Sequence, residues 1–91
     1  MVFFVTALKE SKDVIKEAVE REYAQSLYVV APDKWFVSTS EEVTARQVAT
    51  KLGIIKSEGV SGLVLSVGGY SGRAQPDMWE WLAAQSGKTN G

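Results

Sequence analysis

Gly68, Gly69, Tyr70, Ser71, Gly72 and Arg73 come nearest to a ligand site among the residues of this 91-residue chain. Glycines let backbone amides approach a ligand closely, and a helix start behind them favours an anion. Arg73 adds a guanidinium that can grip a phosphate or carboxylate through two parallel hydrogen bonds. The spacing is not that of a dinucleotide-binding loop, and the lysine of a phosphate-binding loop is missing. The same segment also reads as a tight surface connection with Arg73 in a salt bridge. Weak anion binding by Gly68, Gly69, Tyr70, Gly72 and Arg73 is therefore one of two readings.

Catalytic chemistry has little to work with. Cysteine and histidine are both absent, which removes thiolate nucleophiles, most zinc, copper and iron sites, and the commonest general base near neutral pH. Asp13, Asp33 and Asp77 each have a local structural role, at a helix start, a turn and a helix start. A hard-metal site would need several carboxylates to converge through the fold. Ser66 or Ser71 with a lysine base has no motif behind it. We expect no catalytic residue, no metal ligand and no cofactor; a carboxylate-metal nuclease is the remaining enzymatic reading.

Met78, Trp79, Trp81 and Leu82 fall in one predicted helix. Residues two apart on a helix point about 160° away from each other, so Trp79 and Trp81 cannot face the same core. One ring packs on its own domain; the other meets a partner or lies along the rim of the sheet. Tryptophan is a favoured interface anchor, which makes Met78, Trp79 and Trp81 candidate interface residues. Tyr28, Trp35 and Phe36 lie on predicted strands. They read as base-stacking aromatics or as packing, without the glycine-flanked, basic surroundings of a ribonucleoprotein motif.

These residues are positioned by a simple alternation of elements. Residues 2–8 form a continuous apolar run, read as a central strand buried on both faces. From Ser11 to Tyr23 the period becomes helical, with Val14, Ile15, Ala18 and Val19 on one stripe and charges on the other. Lys16/Glu20 and Glu17/Arg21 sit four apart and can pair. Residues 27–31 and 35–39 are strands joined at Pro32, Asp33 and Lys34, a hairpin. Thr39, three residues before Glu42, has capping-box spacing and predicts a helix running to Leu52, stopped by Gly53. Residues 54–62, with Lys56 and Glu58, read as a loop, and residues 63–67 as a fourth strand. Pro76 and Asp77 open a last helix to about Gln85. The expected fold is α+β: a ferredoxin-like βαββαβ split βαβ sandwich with strands one and three central, helices on one face, and an additional C-terminal helix. Residues 1–85 make a single domain and residues 86–91 a disordered polar tail.

Hydrophobic residues are 45% and charged residues 23%, ordinary globular usage. The net charge of −1 offers no global field for nucleic acid or anionic membrane, so nucleic-acid binding is possible only through a local patch. No apolar run approaches the roughly 20 residues of a membrane span. With no cysteine and no signal-peptide pattern, the expected location is cytoplasmic, with no membrane partner.

Lys34, Trp35, Phe36, Val37, Ser38 and Thr39, followed by the helix from Glu41 to Leu52, carry a family resemblance. So does the ending from Gly69 to Arg73 through Trp79, Glu80, Trp81 and Leu82. Over residues 34–83 these stretches resemble small ferredoxin-like proteins of the SinR-like kind, distant relatives of the small CRISPR adaptation subunit. The resemblance implies a ferredoxin-like fold and a homodimer. In the CRISPR relatives the first strand ends near an aspartate that helps hold a metal; here Val5, Thr6, Ala7 and Leu8 occupy that stretch, with no acid before Glu10. The departure removes the metal-nuclease inheritance. The expected function is a non-catalytic interaction module, homodimeric, with an unknown protein partner. Its contact surface is the last strand, the glycine-rich loop and the tryptophan helix. Nucleic-acid or phosphate-ligand binding at that loop is the alternative.

Overall fold

The computed structural model describes residues 1–54 and 59–85. The loop residues Lys56 and Glu58 and the tail at 86–91 lie outside the described residues. Seven elements follow in order: β1 (Val2–Leu8), α1 (Lys12–Glu22), β2 (Leu27–Ala31), β3 (Lys34–Ser38), α2 (Ala45–Lys51), β4 (Ser61–Ser66) and α3 (Pro76–Gln85). The four strands form one sheet in the order β2-β3-β1-β4, every neighbouring pair antiparallel. The architecture is α+β, with β1 and β3 central as expected.

Alternation along the strands divides the sheet into two faces. Phe3, Val5, Ala7, Trp35 and Val37 point to one face and are buried there with Ile15, Ala18 and Val19 of α1, and with Val48 of α2 and Leu52 at its end. This is the main core. Val14, expected on the buried stripe of α1, is 52% exposed; α1 needs only the narrower stripe through Ile15, Ala18 and Val19. Lys16 pairs with Glu20 at 3.5 Å, but Arg21 turns to its neighbour Glu22 at 3.1 Å rather than to Glu17.

Two expectations fail in ways with clear causes. The helix after β3 does not start at Thr39, whose hydroxyl instead donates to the Glu41 carbonyl at 2.7 Å. Its cap is Thr44, whose Oγ1 accepts from the Gln47 N–H at 3.1 Å while Gln47 Oε1 accepts from the Thr44 N–H at 2.8 Å. Two capping boxes were available in sequence, and the second one forms. Gly53 does stop the helix: at φ 83° it lets its own N–H reach the Thr50 carbonyl and the Ile54 N–H reach that of Ala49, a Schellman ending. The second correction concerns the face. α3 does not join α1 and α2; its Trp81 lies against Tyr28 and Phe36, which project from the face opposite Trp35. The sheet therefore has helices on both sides, and β1 is fully buried on only one.

The fourth strand begins two residues before its predicted start because Ser11 anchors it. The Ser11 side chain is buried, and its Oγ accepts from the Ser61 N–H at 2.7 Å. Gly62 is required at the next position: a Cβ there would stand 2.8 Å from Ile15 Cδ1 and 3.2 Å from the Thr6 carbonyl oxygen.

Candidate functional site

The face of the sheet opposite the main core carries two of the strand aromatics read from the sequence, Tyr28 and Phe36, with Trp81 over them. Tyr28, Phe36, Phe4 and Leu65 stand side by side across β2, β3, β1 and β4 in direct register. Phe4 and Phe36 approach to 5.3 Å between ring centroids. Trp81 lies over the β2–β3 end of this row, 5.9 Å from Tyr28 and 6.2 Å from Phe36, nearly parallel to the latter. Tyr28 Oη donates to Asp77 Oδ2 at 2.9 Å, tying the start of α3 to the same strand. Burial raises the Tyr28 phenol above its usual pKa, and the bond to and charge of Asp77 push the same way.

The strand aromatics are thus engaged within the chain: Trp35 in the main core, Tyr28 and Phe36 under Trp81. The two tryptophans face different ways, as their spacing requires. Trp79 stacks on Tyr70, 5.6 Å away at 14°, so both indoles have partners in their own chain. Met78 is partly buried.

The other end of the row is open. Leu65 is 48% exposed, Leu63 47% and Leu8 45%; their positions along β1 and β4 put all three on the α3 face, around partly covered Phe4 and Thr6. α3 covers the β2–β3 half of this face; on the β1–β4 half Val2 is also buried, and Leu8, Leu63 and Leu65 are left about half exposed. Sequence reasoning included the last strand in the contact surface but assigned no leucine to it. The strand itself carried no distinguishing signal: a buried strand and a half-bare strand have the same apolar composition when the outward residues are leucines.

In the glycine-rich loop, a Cβ at Gly68, Gly69 or Gly72 would meet nothing within 4 Å, and Gly72 has φ 144°. Arg73 is exposed and makes no ion pair among the described residues. The backbone is therefore accessible, while the nearby start of α3 already carries the carboxylate of Asp77.

Among the described residues no three Asp or Glu side chains gather where they could hold a metal ion, and no helix is long and apolar enough to cross a membrane. A cleft of about 690 Å³ opens elsewhere, lined in part by Tyr23, Ser26, Ser38, Thr39, Gln47 and Lys51. None of the candidate ligand or interface residues picked from the sequence lines it. Its cation is already engaged, with Lys51 Nζ 5.4 Å from the Tyr23 ring centre and 3.9 Å from Glu22. Burial, then the Glu22 charge, raises the Tyr23 pKa. No protein-family model matches the chain, and no curated protein and no solved structure matches it.

Proposed function

We propose that this chain is a non-catalytic interaction module that works as a cytoplasmic homodimer, through the bare β1–β4 half of its sheet. The observation that carries the reading is the patch of Leu63 and Leu65 beside Phe4, with Leu8 at its margin, each leucine close to half exposed on one face. Contiguous apolar surface of this kind marks a contact site, whereas scattered exposed leucines do not. Trp81 is engaged by its own sheet, so the surface lies on the leucines rather than on the tryptophan helix. The fold behind it is the ferredoxin-like split βαβ arrangement with α3 appended. The strand order β2-β3-β1-β4 supports that reading, as do the helical crossovers from β1 to β2 and from β3 to β4.

Sedimentation velocity across a wide concentration range tests the homodimer. Wild type is expected to shift from monomer to dimer as concentration rises, and Leu65→Lys to remain monomeric because its ammonium cannot be desolvated in the contact. A wild-type monomer at every concentration refutes the proposal.

The accessible glycine amides and Arg73, which has no ion pair among the described residues, favour a second reading, binding of nucleic acid or another phosphate-bearing ligand at the loop. Fluorescence anisotropy with mixed DNA and RNA oligonucleotides at low and moderate salt decides it. Salt-sensitive binding that weakens in Arg73→Ala supports the site; binding unchanged by that substitution, or no binding, removes it.

A further inference from the structure

Resting on the homodimer reading, we infer its geometry: two copies join edge to edge along β4, antiparallel about a two-fold axis at Val64, to make one eight-stranded sheet. Backbone hydrogen bonding carries the argument. The Val67 N–H donates to the Val2 carbonyl at 2.9 Å. Partners in an antiparallel ladder alternate between hydrogen-bonded and non-hydrogen-bonded pairs. By that alternation and the observed register, Leu65 with Phe4 and Leu63 with Thr6 turn their backbone groups toward β1. The other side of β1 agrees, since the Ala7 N–H donates to Asp33 of the opposite neighbour. Gly62, Val64 and Ser66 are left with N–H and C=O groups pointing outward from a strand at the end of the sheet.

Exposed edges are ordinarily blunted by charge, proline or a bulge. The opposite edge, β2, has such protection: its register breaks between Val29 and Ala31, Pro32 follows, and Asp77 of α3 is bonded to Tyr28. β4 has none. Its pairing with β1 runs unbroken through six consecutive residue pairs, and residues 59–72 contain no charged side chain and no proline.

The partner that fits is a second copy, because β4 is complementary to itself. With Val64 facing the partner's Val64, Gly62 faces the partner's Ser66 and Ser66 the partner's Gly62. All three outward-pointing residues on each copy are then hydrogen-bonded. The same register sets Leu63 opposite the partner's Leu65, and Leu65 opposite the partner's Leu63. Four half-exposed leucines close over one another, and no like charges meet. Other even registers leave outward groups unpaired at one end. A contact of this size lies at the small end of specific interfaces, where weak, concentration-dependent association is expected.

The absence of cysteine makes cross-linking selective. Leu63→Cys and Leu65→Cys are prepared as single variants, checked for native circular dichroism, and oxidised separately and as an equal mixture above the dimerisation concentration. Positions 63 and 65 of opposite copies form a non-hydrogen-bonded pair with Cα atoms about 4.5 Å apart, within disulfide reach. Like positions are diagonal, about 7–8 Å apart, beyond the usual limit for a disulfide. The mixture should give a disulfide-linked dimer at least about tenfold faster than either variant alone. If the protein dimerises by sedimentation but the mixture cross-links no faster than the single variants, the edge geometry is refuted and the homodimer stands. If it sediments as a monomer throughout, both fail together.

Discussion

Replacing Trp81 with alanine should cost several times what the same change costs at Trp79, two positions away on the same helix. Full removal of a core Phe or Trp costs about 3–5 kcal/mol. Trp81 is not fully buried, but it touches two rings, Tyr28 and Phe36, and such pairs contribute about 0.5–1.5 kcal/mol each beyond area burial. An expectation of about 3 kcal/mol follows for Trp81→Ala. Trp79 has a single aromatic contact, to Tyr70 in an exposed loop, so about 1 kcal/mol is expected there. At this chain length each kcal/mol moves the melting midpoint by about 4–8 °C, which separates the variants by roughly 8–16 °C. Urea unfolding followed by circular dichroism measures both, with Trp35 fluorescence as a second probe since Trp35 survives in each. Trp81→Ala should also lower the urea m-value, because a detached α3 leaves less surface to expose on unfolding. Equal costs, within the roughly 0.5 kcal/mol typical of surface changes, would refute the docking of α3 through Trp81.

Three further outcomes follow from named contacts. Gly62→Ala should cost about 1–3 kcal/mol by overpacking, and less in an Ile15→Val background, where the atom 2.8 Å from the added Cβ is gone; a double-mutant cycle by urea unfolding shows that coupling or its absence. Thr44→Ala should cost about 1 kcal/mol through loss of the cap and Thr39→Ala clearly less, a ranking that reverses if the earlier capping box is the one that forms. Folded Tyr23 and Tyr28 hold their protons more tightly than the unfolded chain does. Their stabilising contribution is thus complete below the unfolded tyrosine pKa of about 10 and is lost as pH rises through the raised folded values. Tyr28→Phe should flatten part of that alkaline fall in melting midpoint, Tyr23 supplying the rest; an unchanged slope would mean that neither burial nor Asp77 holds the Tyr28 proton in the folded chain.

Much of the fold was legible because it rests on local patterns. Residues 2–8 and 27–31 coincide with β1 and β2, and residues 76–85 with α3, since apolar runs, Pro32 and Pro76 mark their limits without help from tertiary structure. The start of α2 was not legible, because Thr39 and Thr44 both carry a carboxyl or amide side chain three residues on, and the choice between them depends on where β3 ends. The side taken by α3 was equally hidden: helical periodicity separates Trp79 from Trp81 but says nothing about which face of the sheet either meets. The glycine-rich loop was legible as a loop, its two readings left open, while the leucine patch could not be found from β4 alone. Leu63 and Leu65 look like core residues until α3 is seen to cover only their neighbours.

That partial cover has a geometric cause. Four strands spaced about 4.8 Å apart make a sheet roughly 14 Å across between its outer backbones, and a helix with its side chains is about 10–12 Å wide. One helix whose aromatic contacts fall on Tyr28 and Phe36 is centred over β2 and β3 and does not reach the outer strand β4, where Leu63 and Leu65 stay about half exposed. An antiparallel sheet usually meets this by turning polar residues to water on its open side. Along β1 and β4 the open half does the opposite, presenting Leu63 and Leu65 beside Phe4, with Thr6 and Ser61 the polar exceptions and Leu8 at the margin. The edge next to it carries no charge, no proline and no break in register. A bare apolar face alone would be satisfied by almost any greasy surface, and a bare edge alone by almost any strand. Their coincidence on β4, with each leucine meeting a leucine under a two-fold operation, is what narrows the fitting partner to the chain itself.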